Sequence, residues 1–131
     1  MATTDLEMHG SAKRLTQFCS TRVEYQLDKV LIRMQGEFDL SCEEPFRAEL
    51  AGALGEETTT LVLDLSGLTF IDSVGLGMLV KIQRETGEDG LGLSLHCAEG
   101  NVRSVLRQTG LDGVLPVVDP FGVVPRSESP V

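Results

Sequence analysis

The sequence predicts an α/β fold, a single domain built on a small mixed sheet that is mainly parallel. Three observations carry this. Stretches that alternate apolar and polar residues take turns with stretches of helical spacing, which implies strands joined by crossover helices. Thr60-Leu61-Val62-Leu63-Asp64-Leu65 is nearly continuous in apolar side chains, as in a strand covered on both faces at the centre of a parallel sheet. The chain has 131 residues, enough for one hydrophobic core and short for two.

In chain order, residues 1–20 are polar and aperiodic and read as a flexible N-terminal tail. Val23, Tyr25 and Leu27 alternate with polar neighbours, Asp28-Lys29 follows as a turn, and Val30, Ile32 and Met34 alternate again. This is the pattern of a hairpin with one buried face. Gly36-Glu37-Phe38-Asp39 ends that strand. Ser41 and Glu44 have the spacing of a capping box, and Pro45 falls in the first helical turn. Phe46, Leu50, Ala53 and Leu54 form a core-facing stripe, with Gly55 as the expected cap.

Beyond the central strand and Ser66-Gly67, the chain continues through Leu68-Thr69-Phe70-Ile71 to Asp72-Ser73. A second helix is expected from Ser73 to about Glu85, ending near Gly87. Leu91, Leu93 and Leu95 then alternate as a strand, and Val102, Val105, Leu106 and Thr109 mark a third helix stopped at Gly110-Leu111. Val114 to Val118 suits a last edge strand, where Pro116 is tolerated. Residues 120–131 read as a flexible C-terminal tail, so the folded domain is 21–119.

Acidic residues outnumber basic ones by 20 to 11, for a net charge of −9, which argues against nucleic acid and anionic membrane surfaces as partners. A basic protein partner remains open. Cys19, Cys42 and Cys97 are odd in number and lack metal-ligand spacing, so they read as free thiols in a reducing cytosol. No run approaches 18 apolar residues, and Met1 to Glu7 lack the basic and apolar regions of a signal peptide. A cytoplasmic location follows as an expectation. No cofactor or metal is implied.

Functional groups of an open α/β sheet gather beyond the carboxyl ends of its strands. Two such ends stand out here. At one, Asp72-Ser73-Val74-Gly75 hands a strand over to a helix. The first N–H groups of that helix lack intrahelical partners, and the helix dipole adds partial positive charge. A phosphate on Ser73 would meet both; otherwise Ser73 is simply a helix cap. Gly75 and Gly77 leave the first turn bare for the approach of another protein. Leu76, Leu79, Val80 and Gln83 form one stripe of this helix, and Val74, Met78 and Ile82 form a second. Either the helix is deeply buried or the second stripe is a partner patch with Met78 at its centre. At the other end, Glu37 and Asp39 precede the first helix. If the strands are neighbours, Asp39 and Asp72 both lie near Ser73. There they would repel an added phosphate, orient the hydroxyl or help coordinate a partner's metal.

Taken together these segments resemble one family. Gly36-Glu37-Phe38-Asp39 resembles the Gly-Glu-Leu-Asp segment of STAS-domain proteins. The run Leu63 to Gly77 resembles their Asp-Ser-(Ser/Thr/Ala)-Gly-Leu core, and Val102 to Asp112 is similar to their third-helix ending. The resemblance implies helices packed chiefly on one face of the sheet. For members of the sporulation and stress-response type it implies an anti-sigma-factor antagonist. Such a protein binds an anti-sigma factor that is also a GHKL-type serine kinase, and so releases a sigma factor. Phosphorylation at the position of Ser73 breaks the complex, and a phosphatase resets it. The corner and the second stripe together make Glu37, Asp39, Asp72, Val74, Gly75 and Met78 the expected partner contacts, and the chain is expected to be a monomer or weak dimer. Many members carry a second hydroxyl where this chain has Val74, which leaves Ser73 as the acceptor.

Two other readings compete. A serine on a strand-to-helix turn suggests a hydrolase, but Ile71 stands where the nucleophile elbow needs glycine, and the nearest general base would be His96. A STAS module also serves as a scaffold in a stress-sensing assembly or as an accessory subunit of a lipid transporter.

Overall fold

A computed structural model describes residues 11–119. Its elements run β1 (Ser11–Thr16), β2 (Cys19–Gln26), β3 (Lys29–Phe38), a 3-10 turn (Leu40–Cys42), α1 (Glu43–Ala53), β4 (Thr60–Ile71), α2 (Ser73–Glu88), β5 (Gly92–His96), α3 (Asn101–Gln108), a second 3-10 turn (Leu111–Gly113) and β6 (Val117–Val118). The sheet has six strands in sequential order. β1, β2 and β3 pair antiparallel, and β3, β4, β5 and β6 pair parallel.

That order explains why one face carries the helices. Parallel strands joined by right-handed crossovers place each helix on the same side whenever successive strands step in one direction. Val30, Ile32 and Met34 of β3, Leu61, Leu63 and Leu65 of β4 and Leu95 of β5 point into the core with Phe46, Leu50, Met78, Leu79, Ile82, Val102 and Leu106 of the helices. The opposite face is polar. Arg33 reaches Glu24 at 3.4 Å and Asp64 at 3.8 Å, and His96 stands next to Asp64 in register.

The structure corrects several expectations. Within the stretch assigned to the N-terminal tail, Ser11–Thr16 form an edge strand; residues 1–10 and 120–131 lie outside the described residues. β1 is polar because it sits at the rim, where Lys13 pairs with Glu49 of α1 at 3.4 Å and only Leu15 packs on the core. The β2–β3 turn is Leu27-Asp28, with Leu27 at φ 52° and fully exposed rather than on the buried face. The Ser41–Glu44 capping box does not form: Asp39 caps the 3-10 turn instead, and α1 begins at Glu43 and ends before Gly55. β4 continues through Ser66-Gly67. The register slips there, from Arg33 opposite Asp64 to Gln35 opposite Gly67, which marks a bulge. A Cβ on Gly67 would lie 2.6 Å from the Met34 carbonyl oxygen, so only glycine lets the bulged strand pass.

The rotation of α2 is also settled. Gly75, Met78, Leu79, Ile82 and Thr86 face the core, so Met78 is not a partner contact. It is 1 % exposed. The helix is turned this way by its first turn, because a Cβ on Gly75 would lie 2.5 Å from the Phe38 carbonyl oxygen and 2.8 Å from Ile71 Cγ1. Met78→Ala should therefore cost about 2–5 kcal/mol of stability, read as a lowered urea midpoint. A change within 0.5 kcal/mol would contradict this packing.

Candidate functional site

The corner where β3 and β4 end is built around Phe38. The Asp72 N–H donates to the Phe38 carbonyl oxygen at 3.3 Å, which holds the two strand ends side by side. The Phe38 ring meets Phe46 of α1 edge-on, with centroids 5.2 Å apart. Asp39 and Asp72 thus begin their turns as neighbours.

Each aspartate is occupied locally. Asp39 Oδ1 accepts from the Ser41 N–H at 3.0 Å and from the Ser41 hydroxyl at 2.6 Å. Asp72 Oδ1 accepts from the Gly75 N–H at 2.9 Å and is the N-cap of α2. The cap reading of Ser73 is therefore overturned. Ser73 is the first helical residue, and its side chain is exposed and takes no part in capping. The N–H groups of Ser73 and Val74 stand at the helix tip, where α-helical geometry provides no acceptor.

The remaining expected contacts divide. Glu37 and Asp39 are partly exposed at the corner, and Val74 is half-buried against the core. Gly75 is buried, so it shapes the corner by close packing and offers no surface of its own. Gly77 is exposed, with open space around it. His96 lies beside Asp64, seven strand positions before Ile71. At about 3.3 Å per residue that puts it roughly 20 Å from the corner, so no Ser73–His96 pair is made. The sequence reading passed over Phe18, Leu40 and Phe70, which are exposed at this same end of the sheet. Leu40 and Phe70 flank the two aspartate motifs, and that position was their one legible signal.

Residues 21–119 match the family described as Mlab, STAS domain. The chain belongs to the STAS-domain family. A 59-residue stretch is 39% identical to the anti-sigma F factor antagonist of Lysinibacillus sphaericus, covering 44% of this chain and 50% of that protein. The match thus spans about half the length of that relative. The anti-sigma factor antagonist of Mycobacterium paratuberculosis is 27% identical with a TM-score of 0.63, over 78% of this chain and 86% of that one. The antagonist SpoIIAA in its unphosphorylated form is 26% identical with a TM-score of 0.63, over 82% and 90%. The Bacillus protein in its phosphorylated form is 25% identical with a TM-score of 0.56, over 82% and 94%. No helix among the described residues of this STAS domain is long and apolar enough to cross a membrane.

A thiol pair underlies the corner. Cys42 Sγ donates to the Glu37 carbonyl oxygen at 3.3 Å. Burial, with the neighbouring Cys42 adding to it, pushes the Cys19 thiol from 9.0 up to about 12. Both side chains are buried.

Two outcomes follow. Asp72→Ala should cost about 1 kcal/mol by denaturant unfolding, whereas Ser73→Ala should stay within about 0.5 kcal/mol. The reverse order would make Ser73 the cap. In the unfolded chain the Cys19 thiol ionises first, so the folded state binds more protons above pH 9. Stability should fall as pH rises from 9 towards 12, and Cys19→Ala should flatten that fall. An unchanged slope in the variant would contradict the thiol's burial.

Proposed function

We propose that this STAS domain is an anti-sigma-factor antagonist: unmodified, it binds an anti-sigma factor that is a GHKL-type serine kinase, and it lets go once Ser73 is phosphorylated. The observation that carries the reading is the division of labour at the α2 tip. Asp72 does the capping, which frees the Ser73 hydroxyl to react without loss of the helix start. The antagonists among its structural neighbours, one of them solved with and without phosphate, support the class.

The chemistry is a phosphoryl transfer. The hydroxyl oxygen of Ser73 attacks the terminal phosphorus of ATP, the bond to the bridging oxygen breaks and ADP leaves, while the hydroxyl proton passes to a basic side chain of the kinase. The attacking oxygen must approach the nucleotide closely, so the docked surface is centred on the α2 tip. Once transferred, the phosphate carries about −1.5 to −2 charges. It then faces the phosphates of the ADP it has just left and the carboxylates of Asp39 and Asp72. Held in a desolvated interface, such a charge costs several kcal/mol, and each 1.4 kcal/mol is tenfold in affinity. At the free α2 tip the same phosphate meets the Ser73 and Val74 N–H groups and the positive end of the helix dipole, so the fold tolerates it. A serine phosphatase would restore the binding form. The reading places the protein in the cytoplasm, where ATP and sigma factors are.

The test pairs labelling with binding. Incubated with the kinase and radiolabelled ATP, the wild type should take up label at Ser73. Ser73→Ala should take up none and stay bound in the presence of ATP. Ser73→Asp should bind at least tenfold more weakly. Label at another residue, or full binding by Ser73→Asp, would refute the switch. Recovery of an ATPase with a membrane permease in place of a kinase would instead support the accessory-subunit role.

A further inference from the structure

We infer that Phe18, carried by the β1–β2 turn, is an apolar anchor that extends the docking surface at the Ser73 corner and selects the partner. This rests on the switch reading above and adds to it the chemistry of the partner's surface.

Phe18 is 58 % exposed, Leu40 63 % and Phe70 42 %. The structure brings all three to one end of the sheet. The Phe18 carbonyl oxygen accepts from the Glu37 N–H at 2.8 Å. Glu37 stands opposite Phe70 in the β3–β4 register, and Leu40 follows Asp39. Strands lie about 4.8 Å apart, so the turn beside β3 is about 10 Å from β4. A standard protein interface covers about 800 Å² on each partner, a disc of roughly 16 Å radius. Phe18, Leu40, Phe70 and Ser73 fall within one such disc.

The turn is held firmly. The Phe18 N–H donates to Thr16 Oγ1 at 3.1 Å, while its carbonyl is fixed by Glu37. Gly36 has a φ of 103°, and a Cβ there would run into the Phe18 carbonyl oxygen. Glycine at 36 thus lets the turn lie flat on β3. Tight turns favour Gly, Asn, Asp and Pro for reasons of backbone geometry, and none of those reasons calls for phenylalanine. With the backbone already pinned, the ring has only its two side-chain torsions to fix on binding, which suits an anchor residue.

Charge defines the partner. Glu37, Asp39 and Asp72 form no ion pair among the described residues, and the carboxylates of Asp39 and Asp72 accept from neutral groups, of Ser41 and Cys42 for the first and of Gly75 for the second. The complementary surface is a protein surface with an apolar pocket fringed by Lys or Arg. Phe18 lies outside the residues 21–119 matched to the family, while Ser73 lies inside them. In this proposal the Ser73 corner carries the switch, and the Phe18 ring on the neighbouring turn discriminates among similar kinases.

The experiment measures binding of the full-length wild type, Phe18→Ser, Phe18→Leu and Leu27→Ser to each purified GHKL-type anti-sigma kinase of the source genome. Leu27 is the control, a fully exposed leucine at the opposite end of β3. Binding is read without ATP and label at Ser73 with it, alongside circular dichroism, melting temperature and sedimentation. Phe18→Ser should bind at least tenfold more weakly than wild type, with Phe18→Leu intermediate and Leu27→Ser unchanged at equal melting temperatures. If Phe18→Ser binds like wild type while Ser73→Asp does not, the anchor is overturned and the switch stands. If Phe18→Ser disrupts self-association but leaves kinase binding intact, the ring's occupant is a second copy and the proposed partner is wrong. If no kinase binds or labels the wild type, the switch reading falls, and the anchor with it.

Discussion

The contact between Phe38 and the first turn of α2 governs the rest of this molecule. One residue ends β3, packs its ring against α1, and offers its carbonyl oxygen to the Asp72 N–H. The same oxygen leaves no room for a side chain at Gly75. These contacts fix where α2 starts and how it is rotated. They also put Asp39 and Asp72 side by side, although the two belong to different strand-to-helix connections separated by 33 positions in sequence. A hydroxyl at the next position is then presented outward on a rigid support. In the proposed switch, a tip on an α2 free to rotate or slide would be neither a reproducible substrate nor a reproducible docking surface.

The two aspartates show how capping and reactivity are kept apart. A serine that caps its own helix holds its oxygen against backbone N–H groups, and modifying it would remove a stabilising bond. Here Asp72 fills that place at 2.9 Å from the Gly75 N–H, and Asp39 does likewise for the neighbouring 3-10 turn. The cost of the arrangement is negative charge around the hydroxyl. In the proposed switch that charge has a use, since a newly added phosphate is repelled within a dry interface but welcomed at a solvated helix tip. The difference between those two environments, rather than any change of fold, would set the switching free energy.

Much of this was legible in the sequence, and the gaps have physical causes. The central strand stood out by its apolar run, but helices cover one of its faces and not both; on the open face Val62, opposite Leu31 in register, is buried without them. The start of α2 was clear from Asp72-Ser73, but not which of the two caps it. Both residue types accept from N–H groups, and only the geometry assigns the bond. The two apolar stripes of α2 fitted its spacing equally well, and the choice that buried Met78 was made by a tertiary contact at Gly75. β1 escaped notice because an edge strand needs no apolar alternation. Its polar Lys13 and Arg14 suit the rim of a sheet as well as they suit a tail. Phe18 lies in a stretch whose composition implies no strand.

The strand order bears on what kind of ligand this corner can take. In α/β sheets that bind small molecules, the order of strands reverses, adjacent crossovers part to opposite faces, and a crevice opens between them. Here the parallel strands run β3, β4, β5, β6 without reversal, and their helices stay on one face. No such crevice arises at the end of β4. Pockets among the described residues include one on the open sheet face around Leu31, Arg33, Asp64 and His96 and one beside the β1–β2 turn around Phe18 and Gly36. What the topology leaves at Ser73 is a protruding helix tip with Phe18, Leu40 and Phe70 around it. A protruding tip cannot enclose a metabolite, but it can enter the concave site of another protein. The sequential strand order thus fits the proposed protein partner on grounds independent of any resemblance.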